Sequence, residues 1–538
     1  MKLKLLLFFF AAFLISTVNL IAQSFDSTNF LIFPSTVTQT EPVLAVSPID
    51  PDFIFASAVT INTSIFFKSE GVYISKDGGF HWSGSDTCKG QLLSNHGGDP
   101  QIMINQNNRL ILTHIGSIFP GIYSHYSKDS GKTWTDAATV TTEQVEDKGT
   151  VKIDNNPGSP FYGRMYSVWV NYANRNAILF SYASSTDSIQ SWSAEQAIVS
   201  QTSSPCSGGS IVVAPDGSVY VCWAGVDNST PYKEIYVGFS KSTDGGVSWQ
   251  SNQNIYTVNG INGTLPQKNN IRVNGLPQIA MDKTNGPRAG WLYIVTTEKN
   301  LAPADSADPD IILHRSTDGG STWSPGIRVN QDSNNNGKIQ YFPAMTVDEN
   351  GGLDIIYYDD RNTTSDSAEV YLARSSDGGD TWIENVLSDH RFKPAPIAGG
   401  PTNYQGDHIV ILAKGNNLYS LWMDNYSGIY QIWMKITELI PTSVNESSVS
   451  KLNFHLNQNY PNPFNPSTEI SWTLNKKSFV SLKVYNLLGQ EISTLVKEEQ
   501  APGFHKSLFA ASNLPSGIYF YRLKAGGRSV VRKMVLLR

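Results

Sequence analysis

The chain has 538 residues, of which 40% are hydrophobic, 11% aromatic and only 16% charged, with 43 Gly and 27 Pro. That length accommodates several globular domains, and a turn-rich, aromatic-rich, charge-poor composition suits an all-β protein. Charge is unevenly placed: residues 453–538 carry a net +7 and Lys2 and Lys4 add +2, so the overall −6 leaves residues 23–452 at −15, an acidic body that excludes a nucleic-acid partner because its field repels phosphates.

In chain order, the first element is an export signal. Lys2 and Lys4 precede an apolar run from Leu5 to Ile15, and small Ala22 stands before Gln23, so residues 1–22 read as a secretory signal peptide. The run is short for a bilayer and no later segment is long and apolar enough to span one, so no transmembrane segment is expected in the mature chain.

From residue 23 to 440 an apolar strand, a turn and a second strand recur. EPVLAVSP (Glu41 to Pro48) leads into FIFASAV (Phe53 to Val59), DPQIMI (Asp99 to Ile104) into LILTHI (Leu110 to Ile115), and KGTVKID (Lys148 to Asp154) into MYSVWVN (Met165 to Asn171). GGSIVVAPDG (Gly208 to Gly217), LPQIAMD (Leu276 to Asp282), FPAMTVD (Phe342 to Asp348) and GDHIVIL (Gly406 to Leu412) open further units. Between them stands an eight-residue motif, Ser-x-Asp-x-Gly-x-Thr/Ser-Trp. Its purest copies are SKDSGKTW (Ser127 to Trp134), STDGGVSW (Ser242 to Trp249), STDGGSTW (Ser316 to Trp323) and SSDGGDTW (Ser375 to Trp382). Two copies are looser: SKDGGFHW carries His81 where Thr or Ser is usual, and STDSIQSW carries Ile189 where Gly is usual. Physically the motif is a tight turn, with Asp and Ser accepting or donating locally, Gly at positive φ and Trp buried beneath. Units spaced by roughly 60 residues predict blades of four strands. The seventh unit has no box; its third strand is YQIWMKI (Tyr430 to Ile436), and NFLIFPST (Asn29 to Thr36) supplies its fourth, sealing a ring. The expected fold is all-β, a seven-bladed β-propeller with six blades as the alternative.

Three cysteines, Cys88, Cys206 and Cys222, are too few for a disulfide framework. Cys206 and Cys222 either face each other across a hairpin or are buried thiols. No Cys/His spacing suggests zinc and no loop has an EF-hand pattern, so no metal or cofactor is expected. After Ile440 and Pro441 the polar stretch TSVNESSVS marks residues 441–453 as a linker. Beyond it, residues 454–538 alternate apolar and polar positions, with Pro461, Pro463 and Pro466 blocking helix at the entry, and predict a small β-sandwich.

The eight-residue motif resembles the Asp box, or BNR repeat, of the sialidase superfamily and other β-propellers. In that family the boxes sit on outer hairpins, so the resemblance implies a sialidase-like propeller whose boxes report fold and not chemistry. Sialidases of the family have six blades, which is the basis of the alternative count. The C-terminal segment resembles the type A sorting domain of type IX secretion found in Bacteroidetes-like bacteria, on NYPNPFNPST (Asn459 to Thr468), VSLKVYNLLGQEISTLV (Val480 to Val496), LPSGIYFYRL (Leu514 to Leu523) and KMVLL (Lys533 to Leu537). This implies the type IX secretion machinery as a partner, and a secreted or surface-attached product.

In a four-stranded blade the 1–2 and 3–4 connections share one face, so box turns leave the opposite face for a ligand cleft. The starts of first strands and ends of second strands point there. They carry Glu41, Asp99, Lys148, Arg272, Asn274, Gln340, Tyr341, Tyr404, Asp407 and His408, joined by His114, Asn171, Asp227, Glu298, Asp359, Asp360, Arg361 and Asp424. Asp360, Asp407 and Asp424 are the candidate catalytic carboxylates, since glycoside hydrolysis needs a general acid and a base or nucleophile. Arg361, Asp359, Arg272, Tyr341, Tyr404, His408 and Glu298 are the candidate ligand-binding residues. The bland reading of any one rim acid is a solvated surface group or a loop brace, and His114 and His408 at such positions are more often structural than catalytic. Sialidases clamp the substrate carboxylate with three arginines, the first in a Phe-Arg-Ile-Pro type motif; here no arginine precedes Arg109, and FLIFPST has Ile32 and Phe33 instead. Without that clamp, sialic acid recognition loses its main charge-assisted contact. The family's Tyr/Glu nucleophile pair has no assigned counterpart, although Tyr404, Tyr341 and Glu298 are available. Two expectations follow: a secreted propeller that binds a glycan or another extracellular ligand without turning it over, and alternatively a glycoside hydrolase.

Overall fold

Strands dominate because the apolar runs are short, rich in β-branched and aromatic residues, and closed by Gly and Asp turns. The computed structural model describes residues 29–62, 67–88, 96–143, 149–171, 176–184, 191–200, 202–299, 308–439, 455–459, 461–474, 477–486, 490–525 and 528–538. The expected signal peptide, the expected linker, Lys148 and most of the STDSIQSW box lie outside the described residues. The chain divides into two compact units, residues 1–438 and 439–538.

Among the described residues of the first unit, seven antiparallel sheets of four or five strands follow one another. The first runs Thr38–Val46, Ile54–Asn62, Val72–Ser75, Ser83–Ser85, with Phe67–Glu70 added against Ile54–Asn62; the second runs His96–Ile104, Leu110–Gly116, Ile122–Ser127, Ala138–Thr141. Five more begin with Thr150–Ile153, Cys206–Val213, Gln278–Met281, Gln340–Val347 and Val410–Lys414. The last is completed from the other end of the unit, where Phe30 and Leu31 pair with Met434 and Trp433. First strands pack on the first strand of the next sheet, and Thr38–Val46 packs on Val410–Lys414, so the sheets close on themselves as a β-propeller. Among the described residues there is no α-helix.

The core is shared out between neighbouring sheets. Val219–Val226 is buried along its whole length because sheets lie on both of its faces, which explains its unbroken apolar sequence. Val221 and Trp223 pack with Tyr166, Val168 and Phe180 of the preceding sheet. The box tryptophans join the same interfaces: Trp249 meets Phe180 edge-on at 4.9 Å, Trp323 meets Phe239 at 5.5 Å, and Trp134 meets Phe55 at 6.0 Å.

Each described box ends the third strand of its sheet. In the Ser316 copy, Ser316 Oγ donates to Asp318 Oδ1 (2.8 Å), Gly320 N donates to Ser316 Oγ (2.8 Å), and Thr322 donates through N (2.9 Å) and Oγ1 (2.6 Å) to the two Asp318 oxygens. Gly319 and Gly320 sit at φ 70° and 91°, which side chains rarely tolerate. At the other end of the first strands the chain is bulged. Glu41, Asp99 and Phe342, each followed by proline, hold φ of 54°, 54° and 52°, and the pairing register shifts at each of these points. Cys88, Cys206 and Cys222 are free and buried, as in the buried-thiol reading, and burial pushes the Cys206 thiol up to about 11.

The second unit contains a three-stranded sheet (His455–Leu456, Ser467–Leu474, Gly503–Ala510) and a four-stranded sheet ordered Glu491–Gln500, Ser478–Tyr485, Gly517–Ala525, Arg528–Leu536. Alternate residues of both sheets, including Ile470, Trp472, Leu482, Val484, Tyr521 and Leu523, form one core between them, a small β-sandwich.

Candidate functional site

Opposite the boxes, a cleft of about 330 Å³ opens at the bulged strand ends, lined by Glu41, Asp99, Asp407, Lys68, Arg272, Asn262, Asn274, Tyr232 and Tyr404. Its most prominent side is not part of a blade. Residues between the fourth and fifth sheets form a two-stranded hairpin, Gly263–Leu265 with Ile271–Val273, around the 3₁₀ turn Pro266–Lys268. Two buried charges fix this insertion. Glu234 accepts from Gly275 N (2.7 Å) and Asn262 N (3.0 Å) at its base. At its tip the fully buried Lys268 pairs with Asp360 at 2.5 Å and also donates to the carbonyls of Ser365 (2.5 Å) and Ser367 (2.7 Å).

The hairpin delivers Arg272 to the cleft. Its backbone N donates to Asn403 O (2.7 Å), and its guanidinium takes Asp407 through Nε (3.2 Å) and Nη2 while lying 5.0 Å over the Tyr404 ring. Burial works against the arginine's charge, and Asp407, with Glu41 beyond it, outweighs that and holds it up. Asp407 is positioned in turn, since its N donates to Glu41 Oε1 (3.1 Å) and Asn274 donates to its carbonyl (3.3 Å). Tyr404 is buried, and burial followed by the nearby Glu41, Asp407 and Asp99 carboxylates pushes its phenol far above the usual range, so it stays neutral. The arrangement presents a fixed guanidinium, carboxylates, amides and phenols to one space, groups suited to a polyhydroxylated ligand.

Of the residues singled out from sequence, the cleft gathers Glu41, Asp99, Arg272, Asn274, Tyr404 and Asp407, and His408 lines the channel beneath with Asp407. The others lie elsewhere. Asp360 is buried with both oxygens engaged, by Lys268 and by Ile339 N (2.8 Å). Arg361 spends its guanidinium on Asp359 (2.6 Å), on Glu384 (2.6 and 3.0 Å) and on the Tyr371 ring (4.4 Å). Asp424 is buried and accepts from Trp422 Nε1 (2.8 Å) beside His390 (2.9 Å). Burial opposes a proton on His390, yet Asp424 and Asp389 raise its affinity for one. Tyr341 is buried against Phe342 and Tyr358, and Glu298 accepts from Thr296 Oγ1 (2.5 Å) inside the fifth sheet. These are braces within or between sheets. Sequence reasoning did not single out Lys68, Tyr232, Asn262, Glu234 or Lys268. The cue was available for Lys268: the segment 259–276 exceeds what a 4–1 connection needs, and a charge within such an insertion is a natural anchor.

Residues 177–388 match the family model described as a BNR repeat-like domain, and residues 458–537 match the secretion system C-terminal sorting domain. The chain therefore carries a BNR repeat-like region and a C-terminal sorting domain, and the latter marks it for type IX secretion to the cell surface or beyond. Among the described residues no helix is long and apolar enough to cross a membrane. Comparison with curated proteins finds no match. Among solved structures, PorZ, a type IX secretion surface component of Porphyromonas gingivalis, is similar at 12% identity over 92% of this chain and 70% of its own, with a TM-score of 0.35. Penicillium chrysogenum α-L-arabinanase is similar at 14% identity over 65% and 97% of the two chains (TM-score 0.40), and a Trypanosoma rangeli sialidase mutant at 13% over 81% and 83% (TM-score 0.34).

Proposed function

We propose that this protein is an exported propeller whose seven sheets act as blades and whose cleft, opposite the Asp boxes, binds a glycan. Residues 1–22 serve as the signal peptide and residues 441–453 as the linker to the sorting domain at 454–538. The observation that carries the reading is the insertion hairpin: two buried anchors, Glu234 and Lys268, hold Arg272 against Asp407 at the mouth of a cleft lined by amide and phenol groups. A rigidly presented planar ion pair favours vicinal hydroxyls, which donate to the carboxylate and accept from the guanidinium. The cleft carries Glu41, Asp99 and Asp407 against Arg272 and Lys68, which favours neutral over acidic sugars.

The test is titration of the full chain with a panel of neutral and acidic oligosaccharides by calorimetry, repeated with Arg272→Ala and Asp407→Asn. Binding of a neutral glycan that weakens tenfold or more in both variants is expected, since each removes charge-assisted hydrogen bonds of roughly 1.5 to 3 kcal/mol. Binding that survives both variants unchanged refutes the cleft assignment. A second reading, hydrolysis at the same cleft, is favoured by the three carboxylates that line it. It requires two of them across the ligand at glycosidase separation. Release of reducing sugar by the full chain, abolished in Asp407→Asn, distinguishes it from binding alone.

A further inference from the structure

Three histidines form a diagonal row across the second sheet. His114 pairs with Tyr123 and Leu112 with His125, so His114 and His125 occupy the same face of adjacent strands; His96, opposite Gly116, extends the row to the innermost strand. All three are buried, and candidate ligand atoms of the three lie within 4.8 Å of one another. The first sheet contributes a carboxylate that contacts one of them. Its added strand Phe67–Glu70 pairs with Ile54–Asn62 and brings the Glu70 carboxylate against His96 Nδ1.

The hydrogen-bond pattern leaves this cluster without a positive charge. His114 Nδ1 meets the carbonyl of Ile115 (2.8 Å) and His125 Nδ1 meets that of Thr135 (3.0 Å). A carbonyl only accepts, so each Nδ1 carries the hydrogen and each neutral ring keeps its lone pair on Nε2. Those two Nε2 atoms approach to 3.0 Å. A carboxylate likewise only accepts, so the Glu70 contact puts the His96 hydrogen on Nδ1 and leaves its Nε2 lone pair free. The facing His114 and His125 lone pairs repel each other unless a cation lies between them.

We propose that His96, His114 and His125 form a buried site for one divalent transition-metal ion of the zinc class, with the Glu70 carboxylate of the first sheet orienting His96. Imidazole is a ligand such an ion takes, and a His Nδ1 donating to a backbone carbonyl or a carboxylate is the usual way a metal-binding ring is oriented. With metal–nitrogen bonds of about 2.0 to 2.1 Å a tetrahedral edge is roughly 3.3 Å, so the 3.0 Å separation of the His114 and His125 Nε2 atoms needs a small opening, while His96, stacked on His114 at 4.2 Å between centroids, turns its ring toward them. Neighbours of these residues, Lys68, Gly97 and Ile115, line the glycan cleft, so the ion stiffens one cleft wall without touching the ligand.

The experiment uses the full chain without a polyhistidine tag, loaded with zinc, dialysed and analysed by mass spectrometry for metal. Roughly one zinc per chain is expected, together with a thermal midpoint that falls on chelation and recovers on zinc addition. Cobalt added to the chelated chain is expected to give the intense visible bands of a four-coordinate site. Glu70→Gln, which keeps shape and removes charge, is expected to weaken zinc binding by tenfold or more. Absence of retained zinc with a midpoint insensitive to chelator overturns the proposal and leaves a hydrogen-bonded histidine row. So does zinc retained undiminished in a His114→Gln, His125→Gln double variant. If that variant does not fold, the cobalt spectrum of the native sequence decides alone: octahedral, weakly coloured cobalt overturns the assignment.

Discussion

On the box side of the propeller each turn closes within its own eight residues, as in Ser316 to Trp323, where Asp318 accepts from Ser316 and Thr322. On the cleft side the defining contacts span far longer stretches: Lys268 reaches Asp360 across 92 positions and Arg272 reaches Asp407 across 135. The same strands end in both regions, so the difference lies in what each end is for. A local turn is repeated because it stabilises any blade. A cleft is assembled once, from an insertion and the loops it leans on, and its buried ion pair holds the hairpin that carries Arg272.

The sharpest way to break this contrast is Asp360→Asn. It leaves Lys268 buried without its counter-charge, and the expected loss is about 3 to 5 kcal/mol of unfolding free energy, read by denaturant titration. A loss comparable to that of an exposed acid shows that the insertion is not anchored there. Next in size is Asp318→Ala on the box side, which removes an acceptor of three side-chain or backbone donors at an exposed turn, with an expected cost of about 1 to 2 kcal/mol. The box aspartates also give the box side a pH signature. Hydrogen bonds from Thr322 hold Asp318 down at about 2, and those from Ser248 do the same for Asp244. For Asp377, about 2 as well, burial acts in the opposite direction and the Thr381 bonds outweigh it. A carboxyl lowered on folding from its ordinary 3.8 stabilises the fold above that value, and this contribution disappears as pH falls through 2. Acid titration of the native chain is therefore expected to destabilise it between these limits, less steeply in Asp318→Ala. Smaller still in stability is Arg272→Ala: its side chain is 42% exposed, so unfolding is expected to shift by at most about 1 kcal/mol while glycan binding falls.

Legibility from sequence follows the same division. The boxes, the two-strand units and the N-terminal closing strand were readable because periodicity and turn chemistry are local. Phe30 and Leu31 pair with Met434 and Trp433, within the segments expected for the seventh unit. The cleft was half readable. Topology put the starts of first strands on one side, where Glu41, Asp99, Tyr404 and Asp407 line a common cleft, and it flagged Arg272 without revealing the hairpin that carries it. It also grouped Asp359, Asp360 and Arg361 as a site, because adjacency in sequence says nothing about partners such as Glu384 and Lys268. The histidine row escaped for a related reason. His96, His114 and His125 have none of the short spacings of a metal motif, and only the register of three strands aligns them.

His81 tests how far a local turn tolerates change. In five of the six boxes the seventh position is Thr or Ser, and in the four of these whose aspartate is described its hydroxyl donates to that aspartate; in the first box the position is histidine. His81 nonetheless reproduces the contacts: its N donates to Asp77 Oδ1 at 2.9 Å and its Nδ1 meets Asp77 Oδ2 at 2.5 Å. Burial opposes ionisation of Asp77, and these His81 bonds outweigh it and hold the carboxyl below its usual range. The ring and the hydroxyl thus perform one task at an exposed position, so His81→Thr is expected to change unfolding free energy by no more than about 0.5 kcal/mol. His81→Ala, which keeps the backbone donor and loses the side-chain one, is expected to cost about 0.5 to 1.5 kcal/mol. Equal effects of the two substitutions in denaturant titrations place the stability of the turn in its backbone and serine contacts, and remove the seventh position from the account of how a box holds.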